Sequence, residues 1–285
     1  EYYLLSRIIH PSIGFVAGIV SATVGFSAPA VLAAIAFANY FAPILPSINI
    51  TITAVGIIIC LNILHATNLS MGKAFQNCTT ILKIGLILIF IIIGLLFKEN
   101  QLISFLPTRS DLRLIISPEF AVNLIWVSYA YAGWNSSVYV VGEIVQPEKN
   151  ISRSIFIGTA VVTLLYIALN FVFLYVTPIN ELIGKVEVGY LSGVHLFGAS
   201  LAKLVSFCIG LLLISTVSSY VYIGPRIIQA IGEDFDRLRV LSKTDSQGIP
   251  YNAFILQLLI SLIFVLTSSF EQVLLYTGIT LIIMS

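Results

Sequence analysis

Seven stretches of mostly apolar residues follow one another along the chain, at 13–40, 48–67, 78–97, 120–142, 154–177, 197–224 and 250–269, each bounded by charges, Pro or Asn. A helix needs about 20 such residues to cross the hydrocarbon core of a bilayer. Because backbone amides in lipid must be satisfied within the segment itself, a series of this kind specifies helices. An eighth stretch begins near Glu271. The expectation is an all-α polytopic membrane protein with seven complete transmembrane helices and part of an eighth. Composition agrees: 9% of residues are charged, 58% are hydrophobic and the mean hydropathy is +1.03. A soluble domain carries about 25% charged residues, so this chain cannot cover a water-facing surface.

The polar connections fall alternately on two sides and can be scored for Lys and Arg, which accumulate on the cytoplasmic side. One side holds Arg7, Lys73, Lys149, Arg153, Arg226, Arg237, Arg239 and Lys243; the other holds Lys98, Arg109, Arg113 and Lys185. Residue 1 is therefore expected in the cytoplasm of a cell-membrane protein. The net charge of +1 leaves no basic stripe for nucleic acid. Cys60, Cys78 and Cys208 are scattered, suit neither a disulfide framework nor a metal site, and are expected to be buried small hydrophobes. The charged segment 226–248 is expected to extend the preceding helix as a cytoplasmic amphipathic piece. Both ends look cut from a longer chain.

Chemistry concentrates in few places. The span 120–142 packs Ser128, Tyr129, Tyr131, Gly133, Trp134, Asn135, Ser136 and Ser137 into mid-membrane. Gly costs about 1 kcal/mol relative to Ala in a helix, and Asn and Ser offer the backbone competing hydrogen bonds. A break over Ala132 to Ser137 is expected. In lipid a break survives only where protein or a water-filled cavity satisfies the freed groups, and discontinuous helices bind substrate in many transporters. A tight-packing face of small residues is the alternative.

Lys83 lies about a turn and a half into its span, where an ammonium either snorkels to the interface or is paired and functional. Ser215, Thr216, Ser218 and Ser219 supply hydroxyls that would serve a buried cation or bond back to their own helix. Glu143 is followed by Lys149 and Arg153, a possible inner latch or a solvated interface. His10, His65 and His195 read as structural. Gly14-x-x-x-Gly18 allows close helix approach, and Pro29 predicts a kink. No nucleophile–base pair, paired intramembrane aspartates or zinc-binding helix is visible, so an enzyme is not expected; a broken helix can line a channel as well as a carrier.

From Tyr129-Ala-Tyr-Ala-Gly-Trp-Asn135 through Gly142-Glu143-Ile-Val-Gln-Pro-Glu-Lys-Asn-Ile-Ser-Arg153, the chain resembles the amino acid-polyamine-organocation permeases, in particular those similar to L-type amino acid exchangers. The likeness extends to Glu1-Tyr2-Tyr3-Leu4, Thr80-Ile-Leu-Lys83, Gly224-Pro225-Arg226 and Thr267-x-x-x-Glu271. It implies a five-plus-five inverted repeat of which residues 1–285 supply helices three to nine and part of ten, as one transporter domain.

By the same resemblance, backbone at Ala130, Tyr131, Ala132 and Gly133 would hold the substrate amino group, Tyr129 would gate it and Asn135 would lie near the pocket. Lys83 would occupy the place of a sodium ion, with Ser215, Ser218 and Ser219 around the occluded core and Glu143 with Arg153 as the gate latch. The sequence departs from many exchangers at Tyr129, where they have Phe, and at Ala132, where they have Gly. The implied function is sodium-independent exchange or proton-coupled uptake of an amino acid by alternating access, with the lipid bilayer, the substrate and a proton or counter-substrate as partners and no cofactor. A channel or an amino acid sensor on the same fold is the alternative.

Overall fold

The computed structural model describes residues 2–67, 72–97, 101, 103, 106, 108–134, 144–246 and 248–284, and every regular element among them is helical. Three helical stretches are long and apolar enough to cross a membrane: Pro11–Phe41, Pro147–Val176 and Val188–Asp234. Ile50–Ala66, Thr80–Leu95 and Tyr251–Thr267 are shorter apolar helices. The chain divides into two compact units, residues 1–81 with 203–285, and residues 82–202.

In the first unit, α1 (Tyr2–Ile8) leads into α2 (Pro11–Val20). The His10 Nδ1 accepts the Ser12 amide at 3.2 Å, and Pro11 sits where a missing N–H costs nothing. A π-helical segment, Ser21–Ser27, then joins α2 to α3 (Ala28–Phe41). The irregularity expected at Pro29 thus lies just before it. Pro29 has no N–H to give the carbonyl four residues back, and its ring crowds that carbonyl in an α turn; the wider π turn makes room. Within the segment the Ser27 hydroxyl donates to the Ala22 carbonyl, five residues back, at 2.9 Å.

The small side chains of α3 let α4 (Ile50–Thr67), α11 (Tyr251–Thr267) and α12 (Phe270–Met284) close around it. Ala30, Val31, Ala34, Ile58, Val217 and Phe254 form the buried centre. Gly18 lies where a Cβ would come within 2.9 Å of both Tyr2 and Ile231, the close approach its spacing suggests. The helical stretch Val188–Asp234, here α10, is interrupted at Gly198 (φ 76°, ψ 165°), and its part beyond residue 202 belongs to this unit. The extension expected over 226–248 is helical to Asp234 and continues as a 3-10 turn, Asp236–Ser242. Tyr2 Oη donates to Asp234 Oδ2 at 2.6 Å, tying α1 to that end.

The second unit takes the later part of α5 (Gly72–Leu95), then α6 (Arg109–Ile115), α7 (Pro118–Ala130), α8 (Pro147–Val176), the short α9 (Ile179–Leu182) and residues 188–197. Gly94 of α5 meets Val172 of α8 directly, and the ring of Phe90 packs against Phe173 and Phe197 at 5.7 and 6.3 Å. Thr177 and Ser192, both fully buried, share a hydrogen bond of 2.9 Å.

On its outer side α8 presents Phe156, Leu164 and Ile167 with 76%, 68% and 64% of their surface exposed. Large contiguous apolar surface is unfavourable in water and suits lipid, and this is a membrane protein. The cysteines differ from expectation: Cys60 and Cys78 are exposed and Cys208 is half-buried. A thiol is small and apolar enough that a lipid-facing helix side holds it as readily as a core does.

Candidate functional site

The helix expected over 120–142 starts and stops for identifiable reasons. Ser117 caps α7, its Oγ accepting the Phe120 amide at 3.2 Å, with Pro118 in the first turn. After Ala130 the i→i−4 ladder gives way to tighter bonds: the Tyr131, Ala132 and Trp134 amides donate to the Ser128, Tyr129 and Tyr131 carbonyls. Tyr131 (φ −93°, ψ 0°) is followed by Gly133 at φ +91°, a backbone that a residue with a Cβ rarely adopts. The interruption therefore begins at Tyr131, one residue before the stretch flagged in the sequence.

The last turn of a helix leaves carbonyls without intrahelical donors. One of them is satisfied across the unit: Tyr166 Oη, on α8, donates to the Ala130 carbonyl at 2.9 Å, and its ring meets Tyr131 edge-on at 5.4 Å. A groove lined by Trp134, Ser152, Phe156, Thr159 and Thr163 opens alongside. Tyr129, Ala130, Tyr131, Ala132 and Gly133 are thus gathered at one helix end, with Tyr166 as a contributor that sequence reasoning missed. Tyr166 carries no motif of its own; its position in the middle of an aliphatic span was the only sign.

Asn135 and Glu143 lie outside the described residues, and with Glu143 the expected latch. Arg153 is exposed in the first turns of α8. Lys83 is half-buried on α5 in the second unit, whereas Ser215, Ser218 and Ser219 belong to the first. Ser215 is fully buried, and Ser219 Oγ donates back to the Ser215 carbonyl at 2.9 Å. Ser218 does something else: its hydroxyl lies 2.7 Å from His65 Nε2, a contact across 153 residues of sequence. His65 is 6% exposed, a histidine buried on α4. Its ring meets Tyr222 at 5.6 Å, and the Arg226 guanidinium sits 3.9 Å from the centre of the same Tyr222 ring and bonds its hydroxyl.

The comparisons with known proteins concern the chain as a whole. A family model described as amino acid permease matches residues 1–285. The chain is 26% identical to the b(0,+)-type amino acid transporter 1 of Mus musculus over 238 residues, 81% of this chain and 47% of that protein. It is 24% identical to solute carrier family 7 member 12 of Mus musculus over 278 residues, 94% of this chain and 59% of that protein. It is also 28% identical to the serine/threonine exchanger SteT of Bacillus subtilis (strain 168) over 177 residues, 62% of this chain and 39% of that protein. The chain spans about half the length of the curated relatives it matches. Matched by that model from first residue to last, the chain belongs to the amino acid permease family.

Proposed function

We propose that the protein to which this chain belongs is a secondary active transporter that moves amino acids across a membrane by alternating access. The interruption at Tyr131 to Gly133 carries the proposal. There the amides leave the α-helical ladder for tighter turns and the Ala130 carbonyl is taken by Tyr166, which supports a broken helix of the kind that holds substrate in transporters. Relatives named as amino acid transporters and as a serine/threonine exchanger support amino acids, serine among them, as the substrate class.

In this reading residues 1–285 are one transporter domain supplying helices three to nine and part of ten of a five-plus-five inverted repeat, with residue 1 in the cytoplasm. Backbone at Ala130 to Gly133 holds the substrate amino group, Tyr129 closes over it and Asn135 lies near the pocket. Lys83 stands in for a sodium ion, Ser215, Ser218 and Ser219 belong to the occluded core, and Glu143 with Arg153 latches the inner gate. Transport is then sodium-independent, by exchange or with protons.

Uptake of a panel of labelled L-amino acids by the full-length protein in proteoliposomes tests this. Saturable, stereospecific uptake that persists without sodium is the expected result, and an imposed pH gradient or internal unlabelled amino acid separates symport from exchange. Non-saturable flux would instead favour a channel, and no flux from folded protein a sensor. Replacing Lys83 with Met in that protein lowers uptake at equal expression; unchanged uptake leaves Lys83 a snorkelling side chain.

A further inference from the structure

The cluster around His65 lies on α4 of the first unit. α4 is otherwise aliphatic where it packs, yet it buries two polar side chains one turn apart, Asn62 and His65, at 4% and 6% exposure. His65 Nε2 is taken by Ser218, and Nδ1 makes no hydrogen bond among the described residues. Asn62 donates through Nδ2 to the Ile58 carbonyl at 2.9 Å, while its Oδ1 is buried with no partner. Side chains three apart on a helix are neighbours, about 5–6 Å between Cβ atoms. An unpaired buried acceptor therefore stands one helical turn from a ring nitrogen that can carry a proton, a spacing that one water can bridge.

Along α10, Ser218, Tyr222 and Arg226 follow at four-residue spacing, a polar stripe from the buried imidazole to an exposed guanidinium. The elements that pack on α4 bring no carboxylate to the site: α3 carries Tyr40 and α11 carries Tyr251 as their only titratable side chains. Cys60 is the other titratable group on α4 itself. The nearest acids along α10, Glu233 and Asp234, lie three turns beyond Tyr222 and are taken by Gln229 and Tyr2.

We propose that Asn62, His65 and Ser218 form a proton-binding site between α4 and α10, whose occupancy makes transport depend on pH. The inference rests on the transport reading above. A neutral imidazole accepts the Ser218 hydroxyl at Nε2, whereas an imidazolium donates from both nitrogens. With Nε2 accepting, the neutral ring carries its one proton on Nδ1, available to Asn62 Oδ1; a second proton goes to Nε2 and obliges the Ser218 hydroxyl to turn its hydrogen away, toward a carbonyl of its own helix. It also sets a second positive charge in the cluster that holds Arg226. The bond between the two helices is rearranged by each proton that arrives, and imidazole is the side chain that titrates between about pH 5 and 8.

Two readouts on the full-length protein test the site. The first is the titration of the His65 resonance in isotope-labelled protein, assigned by difference against His65→Gln. The second is the pH profile of labelled L-serine uptake in proteoliposomes. His65 is expected to titrate, and His65→Gln to flatten the profile. Asn62→Asp, which offers the proton a carboxylate partner, is expected to move both midpoints up by about one pH unit or more. A buried histidine that merely fills space would show none of these shifts. A resonance that does not titrate, or midpoints unmoved in Asn62→Asp, overturns the site. If folded protein takes up no L-serine at any pH, the substrate assigned above is wrong, and the resonance alone decides the proton site.

Discussion

Tyr166→Phe removes one hydroxyl and leaves the ring, so it isolates the bond from Tyr166 Oη to the Ala130 carbonyl while keeping the edge-on contact with Tyr131. The bond is a neutral one to a half-buried tyrosine, for which the net contribution is about 1 kcal/mol. Expressed as an equilibrium constant that is roughly five-fold. If the carbonyl end of α7 is part of the substrate site, its loss of definition appears in binding: KM for uptake rises about five-fold while kcat changes little, the pattern of an interaction present throughout the cycle. The assay is the concentration dependence of labelled L-serine uptake by the full-length protein in proteoliposomes, beside a thermal melt that reports folded fraction. A KM within about two-fold of wild type, at equal folded fraction, would refute the claim that this helix end contacts substrate.

Gly94→Ala sets a methyl group against Val172 and is expected to cost about 1–3 kcal/mol of stability. Adding Val172→Ala should recover part of it, and melts of the two single variants and the double variant read the coupling. Asp111 is held below the usual carboxylate range by the Thr108 amide at 2.6 Å and then by the Thr108 hydroxyl. A depressed carboxylate stabilises α6 fully above its unfolded pKa of about 4 and loses that contribution as pH falls through the lower folded value. Amide protection over residues 111–115, corrected for intrinsic exchange, should therefore be lower in Asp111→Ala than in wild type near neutral pH, and the two should converge in strong acid. Equal protection at neutral pH would show that the cap contributes nothing.

The helical character of the apolar runs was legible because lipid leaves a backbone no other partner than its own segment, although three stretches among the described residues, not seven, are long and apolar enough to cross a membrane. Ends were less so: α8 begins at Pro147, seven residues before the apolar run, since Pro suits a first turn and solvated Glu148 and Lys149 extend the helix beyond hydrocarbon. The interruption at Tyr131 to Gly133 announced itself through Gly, Asn and Ser, which weaken a helix locally and need no tertiary information. Tyr166 and His65 did not, because the partner that makes each of them matter lies 36 and 153 residues away. Ser219 shows the opposite limit. Its hydroxyl looked available for a cation, and bonding back to Ser215 is a choice that composition cannot distinguish.

The π-helical segment Ser21–Ser27 also fixes a phase. A π turn holds more residues than an α turn, so the azimuth at which α3 leaves the segment depends on how many residues stand between Val20 and Ala28 and on how tightly they turn. Deleting one of them and letting the rest close to α geometry removes about as much rotation as the tighter turns add, so α3 keeps nearly its azimuth. Ala30, Ala34 and Ala38, each fully buried, would stay on the face on which neighbouring helices close. The stretch therefore works as slack in the thread: it can give up one residue without turning the helix beyond it, at the loss of the wide turn that makes room for Pro29.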